Sequence, residues 1–284
     1  MNIAVVDIHP HIITGDEARY PKAPLGGVQS TWSKERPTTW EQLLAAMDDA
    51  GVAKAAIVQS STTYGYDNGY VADAVAARPD RFTGVYSVDV MAPDAGEKVR
   101  HWHGLGLTGL RLFTTGSTMP GQSDMLGHPQ SFPAWQAATD LGIPVCVQMK
   151  PEGLPRLHTL LDRFPSTRII LDHLMFVPLE AGPPYAGADP LFGLADRPTI
   201  HLKVTTHTVR ASAQGRATPE TFFRRLLDTF GAGRIAWGSN FPANDRTLKD
   251  MLDEGLRAFA FASDGERLAV FRETALSLYP SLRD

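Results

Sequence analysis

The feature that most limits what this chain can become is a recurring alternation. Eight short apolar runs follow one another along 284 residues, most of them followed by a segment with helical spacing or helix-start and helix-stop residues. The runs lie at 4–9, 55–59, 82–88, 109–113, 145–149, 168–173, 200–205 and 234–240. Helical segments are expected at 38–50, 68–77, 93–105, 132–141, 154–163, 191–195 and 218–230, with two more at 247–260 and 264–278. The punctuation supports them. Thr38 or Thr39 can cap the first, Glu41 favours its first turn, and Gly51 ends it. Pro155 stands in a first turn, where proline is tolerated. The sixth crossover is the weakest, being Pro- and Gly-rich from 178 to 190. Strands that read as continuous apolar runs belong in a parallel sheet covered on both faces. Eight β/α units predict a single (β/α)8 TIM-like barrel, an α/β fold of one domain over 1–284 with an extra C-terminal helix. A doubly wound open sheet is the alternative. It is disfavoured because no Gly-x-Gly-x-x-Gly follows the first strand.

Composition narrows the classes. With 43% hydrophobic and 20% charged residues the chain can build a large core. A net charge of −4 argues against nucleic acid as a partner. Cys146 is the sole cysteine, which excludes a disulfide framework and a thiolate metal cage. No apolar stretch reaches the roughly 18 residues of a membrane span. The N-terminus reads as a strand and not as a leader. The expectation is a cytoplasmic enzyme with a small-molecule substrate and no membrane partner; a homo-oligomer is left open.

In such a barrel the site lies at the C-terminal ends of the strands. The first strand exits through Asp7-Ile8-His9-Pro10-His11. Alternate residues of a strand share a face, so Asp7, His9 and His11 are expected to project together. Two imidazoles on one face are half of a divalent-metal site; the bland alternative is two solvated loop histidines. The other strand ends offer Gln59 and Ser60, Arg111, Gln148, Asp172 and His173, Lys203 and Thr205, and Ser239 and Asn240. Arg111 is either a fork for a substrate carboxylate or a structural ion-pair partner. His173 is either functional or a satisfied core histidine, and Lys203 either a buried structural residue or a substrate contact. His201 and His207 read as structural or exposed, Cys146 as core, and His101, His103, His128 and His158 as solvated. The Gly-rich loop 114–129 lacks the Lys-Ser/Thr of a phosphate cradle. The long loop 12–37 carries Tyr20, Lys22 and Trp32 and is expected to close over the mouth, with these side chains touching the ligand.

Three segments, Val6-Asp7-Ile8-His9-Pro10-His11, Ile170-Leu171-Asp172-His173-Leu174 and Trp237-Gly238-Ser239-Asn240-Phe241-Pro242, come in an order and spacing that resembles the amidohydrolase superfamily, in its amidohydrolase-related branch. The resemblance covers essentially the whole chain. Gln59, Asp67-Asn68 and Gly109-Leu110-Arg111 look most like the pyrone-dicarboxylate and sugar lactonases of that branch. It implies a distorted barrel, with His9 and His11 as the paired histidines of strand one. It implies that His173 polarises the substrate carbonyl or holds the attacking water, and that Arg111 binds a substrate carboxylate. Asn240 then stands where the family has an aspartate, and strand five has Gln148 or Met149 where the decarboxylases of the branch have a histidine ligand. An amide can neither take a proton from water nor neutralise a metal.

Three outcomes remain open from this. In the first, His9, His11 and His173 hold one divalent ion, zinc or manganese, with Asn240 or Gln148 adding a carbonyl oxygen. In the second, the site is metal-free, with His173 as base and the histidines and Arg111 stabilising charge. In the third, hydrolysis has lapsed and a ligand-binding barrel is left. The reading preferred here is hydrolysis of a small carboxylate-bearing lactone. His9, His11, His173 and Asn240 are its catalytic set, and Arg111, Gln59, Gln148, Tyr20 and Lys22 its substrate contacts. A metal-dependent nonoxidative decarboxylase of an unsaturated or aromatic acid is the alternative.

Overall fold

The computed structural model describes residues 3–116 and 121–283, so 117–120 of the Gly-rich loop lie outside the described residues. Eight strands form one parallel sheet in sequential order. They are β1 (Val5–Asp7), β2 (Val52–Val58), β3 (Phe82–Tyr86), β4 (Leu107–Phe113), β5 (Val145–Gln148), β6 (Ile169–Leu171), β7 (Ile200–Thr205) and β8 (Ile235–Gly238). Seven neighbouring pairs are parallel ladders, with register shifts at Val5/Val6 and Gly84/Val85. The eighth junction, β8 to β1, is a nearly closed seam. Ile8 N donates to Trp237 O at 3.3 Å, and Asp7 Oδ1 accepts from Ser239 N at 2.9 Å. The seam is close because residue 238 is glycine: a Cβ there would come within 2.6 Å of His9 Cβ.

The expected helices form with small shifts at their ends. The first (Trp40–Ala50) has a capping box between Thr39 and Gln42, and Gly51 closes it with φ 77°. Others follow at Gly69–Ala77, Ala95–Gly104, Phe132–Asp140, Leu154–Arg163, Pro219–Phe230 and Leu248–Ala258. The weak sixth crossover has a single turn at Asp189–Phe192, earlier than expected. The last helical run spans Asp264–Leu268, Ala269–Glu273 and Thr274–Leu278, with wider turns in its middle piece. The long loop carries short helical pieces at Leu25–Gly27 and Thr31–Glu35.

Two apolar layers result. The outer one lies between the sheet and the helices. The inner one fills the lumen with Val6, Ile8, Ala56, Val58, Val85, Cys146, Ile170 and Ala236, and the C-terminal segment adds Leu278 and Tyr279. Tyr279 crosses under the barrel beside Gly109, where a Cβ would meet its ring at 2.9 Å. Its hydroxyl lies 3.5 Å from Cys146 Sγ. Two-residue periodicity then carries the lumen face upward, from Gly109 to Arg111, Cys146 to Gln148 and Ile170 to Asp172.

That periodicity corrects one expectation. Val6 and Ile8 belong to the inner layer, so Asp7 does not share a lumen-facing row with His9 and His11. The strand ends at Asp7, and the histidines reach the mouth because the chain leaves strand geometry there. Asp7 is sealed at the seam, where its Oδ1 also accepts from His9 N at 2.9 Å. Burial pushes its carboxyl up from the ordinary range.

Candidate active site

At the C-terminal end of the strands lies a cleft of about 300 Å³. His11, Arg111, Gln148, His173 and Asn240 line it, together with hydroxyls of Ser60, Ser61 and Thr62 and a rim that includes Trp32, Phe113, Phe176 and His207. His9 lies fully buried beneath, its ring centroid 5.0 Å from those of both His11 and His173.

Asp172 organises the floor. Its Oδ2 accepts from Arg111 Nε at 2.8 Å, and its Oδ1 lies 2.8 Å from Lys203 Nζ. Arg111 also donates through Nη2 to Gln148 Oε1 at 2.8 Å, and its guanidinium stacks over Phe113 at 4.2 Å. Burial alone would raise the pKa of Asp172. The charges of Lys203 and Arg111 overcome it and hold the carboxyl well below the usual range.

The same environment acts oppositely on the imidazoles. Burial, with the charges of Lys203 and Arg111, lowers His9 well below its ordinary value. Burial brings His11 and His173 each down to about 3, with Arg111 and Lys203 adding to the shift. All three are therefore neutral near pH 7. Neutrality fixes the His11 tautomer. Its Nδ1 lies 2.7 Å from Val58 O, which can only accept, so Nδ1 carries the proton and Nε2 the lone pair. Asn240 lines the same cleft, and its neutral amide, unlike an ionised carboxylate, can donate as well as accept. His173 Nδ1 pairs with Thr205 Oγ1 at 2.8 Å. His9 differs from both: neither ring nitrogen has a hydrogen-bond partner, although the residue is fully buried. Buried polar atoms are rarely left unpaired, and such orphans point to a missing ligand, ion or water.

Local backbone supports the site at a cost. Residues His173, Leu174, Met175 and Phe176 all have φ between 51° and 57°, a left-handed turn built without glycine. Each such residue costs roughly 1–2 kcal/mol, a strain typical of functional segments. The turn places His173 in the floor and Phe176 in the rim, their rings 5.0 Å apart. Asn240, with φ 60°, is of the type that tolerates this region best.

The remaining expected contacts lie elsewhere. Gln59 is fully buried; its Nε2 donates to Gly65 O and Asp67 O, and its Oε1 accepts from Ser61 Oγ, so it braces the loop after β2. The Tyr20 hydroxyl bonds Asp73, and Lys22 pairs with Glu17; neither residue lines the cleft. From the long loop it is Trp32 that reaches the cleft, 5.2 Å from the His11 ring. Sequence reasoning left Asp172 without a role and Lys203 undecided, and read His207 as structural or exposed. The alternation from the lumen residue Ile170 to 172 was the signal that could have found Asp172.

His9, Asp172 and His173 form a buried group whose donor atoms lie within 4.8 Å of one another and could hold a metal ion. His11 lies outside that group, with its Nδ1 on Val58 O. By donor type the group suits zinc or manganese. By charge it is already occupied, because Asp172 is shared by two fixed cations. Unit charges about 4 Å apart repel by about 4 kcal/mol at an effective dielectric constant near 20, and a divalent ion doubles each such term. Donors and spacing fit an ion; the local charge does not.

The barrel, the histidines at its mouth and the seam motif define a class. The chain belongs to the amidohydrolase family, whose model matches residues 6–281. Among curated proteins it is similar to the L-fucono-1,5-lactonase of Burkholderia ambifaria, at 28% identity over 246 residues, 84% of this chain and 80% of that one. Among solved structures it resembles a probable 2-pyrone-4,6-dicarboxylic acid hydrolase from Acinetobacter baumannii with citric acid bound, with TM-score 0.76, 18% identity, and coverage of 99% and 100% of the two chains. It also resembles an amidohydrolase from Burkholderia multivorans with bound zinc, with TM-score 0.75, 18% identity, and coverage of 97% and 99%. Among the described residues no helix is long and apolar enough to cross a membrane.

Proposed function

We propose that this protein is a hydrolase that opens a small lactone bearing a carboxylate. The observation that carries the reading is His9. It is a fully buried, neutral imidazole with two unpartnered nitrogens, set beside His173 under a cleft that also presents Arg111. Such a group is ready to orient water or a reacting oxygen. The relative named as a fucono-lactonase and the neighbour named as a pyrone-dicarboxylate hydrolase support lactone opening. The citrate of that neighbour supports a small carboxylate ligand.

In this mechanism Arg111 meets the substrate carboxylate through Nη1, since Nε and Nη2 are engaged by Asp172 and Gln148. Aromatic rings at the rim cover the substrate's apolar surface and reduce the water around the reacting carbonyl. Water held between His9 and His173 adds through its oxygen to the ring carbonyl carbon and gives a proton to a neutral imidazole. The ring C–O bond breaks, and the departing alkoxide takes the proton back. The product is a hydroxy acid, which releases one proton near pH 7. His11 and Asn240 line the cleft wall beside the substrate. No step is routed through a metal.

The test is a pH-indicator screen of aldonic acid 1,4- and 1,5-lactones and pyrone dicarboxylates. Ring opening with one proton released per turnover is expected, and His9→Asn should slow it by about 10²–10⁴. Carbon dioxide release from an aromatic acid, with no lactone opened, would replace this reading with a decarboxylase. Ligand-induced thermal shifts without turnover would leave a binding barrel.

A further inference from the structure

Lys203 sits on β7 with its side chain fully buried, rising inside the barrel. Its ammonium lies 2.8 Å from Asp172 Oδ1 and 3.5 Å from Cys146 Sγ, at the boundary between the apolar lumen and the polar floor. Beneath Cys146 comes the hydroxyl of Tyr279. A buried lysine is rare unless paired. Here the pairing is unequal: one carboxylate, Asp172, answers two cations, Lys203 and Arg111. Asp7, the other acid nearby, is turned to the seam, where its Oδ1 accepts from His9 N and Ser239 N. The floor therefore carries excess positive charge with only protein atoms present. That charge stands where His9, Asp172 and His173 supply the donors of a divalent-metal site.

We propose that Lys203 is a fixed internal cation that takes the electrostatic place of a divalent metal in this site, so that the His9–Asp172–His173 group works without one. Lys203 does not line the cleft and acts through Asp172 as a positioning residue. It holds the carboxylate from below while Arg111 holds it from the side. His9 thereby keeps both ring nitrogens without a hydrogen-bond partner, its Nδ1 standing 4.0 Å from Asp172 Oδ1. The inference rests on the catalytic reading of this cleft, but its test does not use turnover.

The experiment measures zinc in full-length protein purified without chelator or histidine tag, by plasma mass spectrometry, and zinc affinity by calorimetry. Wild type is compared with Lys203→Met, which keeps the volume and removes the charge. Wild type is expected to carry far less than one zinc per chain and to resist loading. Lys203→Met should bind zinc at least about tenfold more tightly, since Asp172 Oδ1 is freed and one repelling charge is gone. Adding His9→Asn to Lys203→Met should remove that gain, which places the ion in this group. About one chelator-resistant zinc per wild-type chain overturns the proposal, and so does a Lys203→Met protein that binds zinc no better than wild type. If Lys203→Met fails to fold, the wild-type arm decides alone. A metal-poor wild type that opens no lactone would sink the function above and leave this inference standing; a zinc-loaded lactonase would do the reverse.

Discussion

The two sides of the barrel mouth use similar side chains and satisfy them to opposite degrees. On the side of β4 to β7, Arg111, Gln148, Asp172 and Lys203 form a closed circuit in which Asp172 meets two cations and Arg111 also bonds Gln148. On the side of β1, His9 is as deeply buried as Asp172, yet neither ring nitrogen is paired. The difference separates two jobs that burial and polarity alone confuse. The closed side sets charge and shape and has little to gain from a ligand. The open side carries an unpaid desolvation cost that a ligand or water can relieve.

Breaking the closed side should have the largest effect on the fold. Asp172→Asn leaves two buried cations without a counter-charge, and removing one partner of a buried pair costs about 3–5 kcal/mol. Chemical denaturation should show that loss. The pH dependence has a definite sign. Because the folded carboxyl is held below its unfolded value, its contribution is present above about pH 4 and fades only in strong acid. A wild-type protein that loses this stability between pH 7 and 5 would contradict the circuit.

Breaking the open side should do the opposite. His9→Asn removes no hydrogen bond made by the ring, so stability should move by less than about 1 kcal/mol. Turnover should fall by about 10²–10⁴ if the ring moves a proton. A large loss of stability with little loss of rate would make His9 structural and erase the contrast between the sides.

The contrast was only half visible in the sequence. The strands were legible because parallel strands buried on both faces read as apolar runs. His9, His11, Arg111, His173 and Asn240 were legible because they stand at strand exits. The engagement of Asp172 by Lys203 and Arg111 was not, because it joins the end of β6 to β7 and β4, which are far apart in sequence. Nor was the left-handed turn at 173–176, which lacks the glycine or asparagine that normally marks one. Gln59 was assigned to the ligand because its place at a strand end does not reveal that the loop after it returns to take its amide.

A smaller perturbation sharpens the boundary between the sides, where Asn240 meets His11. The neutral ring presents a lone pair at Nε2, and the amide lines the same cleft. In Asn240→Asp the new side chain, once ionised, accepts only and favours the protonated form of His11. The midpoint of His11, about 3 in the wild type, should rise by about one unit or more in an NMR titration. The lactonase rate should fall by about tenfold as a carboxylate replaces a neutral amide in the wall of a cleft that receives an anionic substrate. An unchanged His11 midpoint would mean that residue 240 does not act on the ring.

The smallest expected effect lies outside both sides. Lys22 pairs with Glu17, and the Tyr20 hydroxyl bonds Asp73. Both side chains therefore have partners within their own surface, while the same loop sends Trp32 to the cleft. Lys22→Ala should leave kcat/KM within about twofold and stability within about 0.5 kcal/mol, as for most exposed ion pairs. Trp32→Ala should raise KM, because the cleft loses a ring that stands 5.2 Å from His11. If Lys22→Ala raises KM as much as Trp32→Ala does, the loop must close further over the substrate than its resting position, and the open side of the mouth gains a cation that the resting cleft does not have.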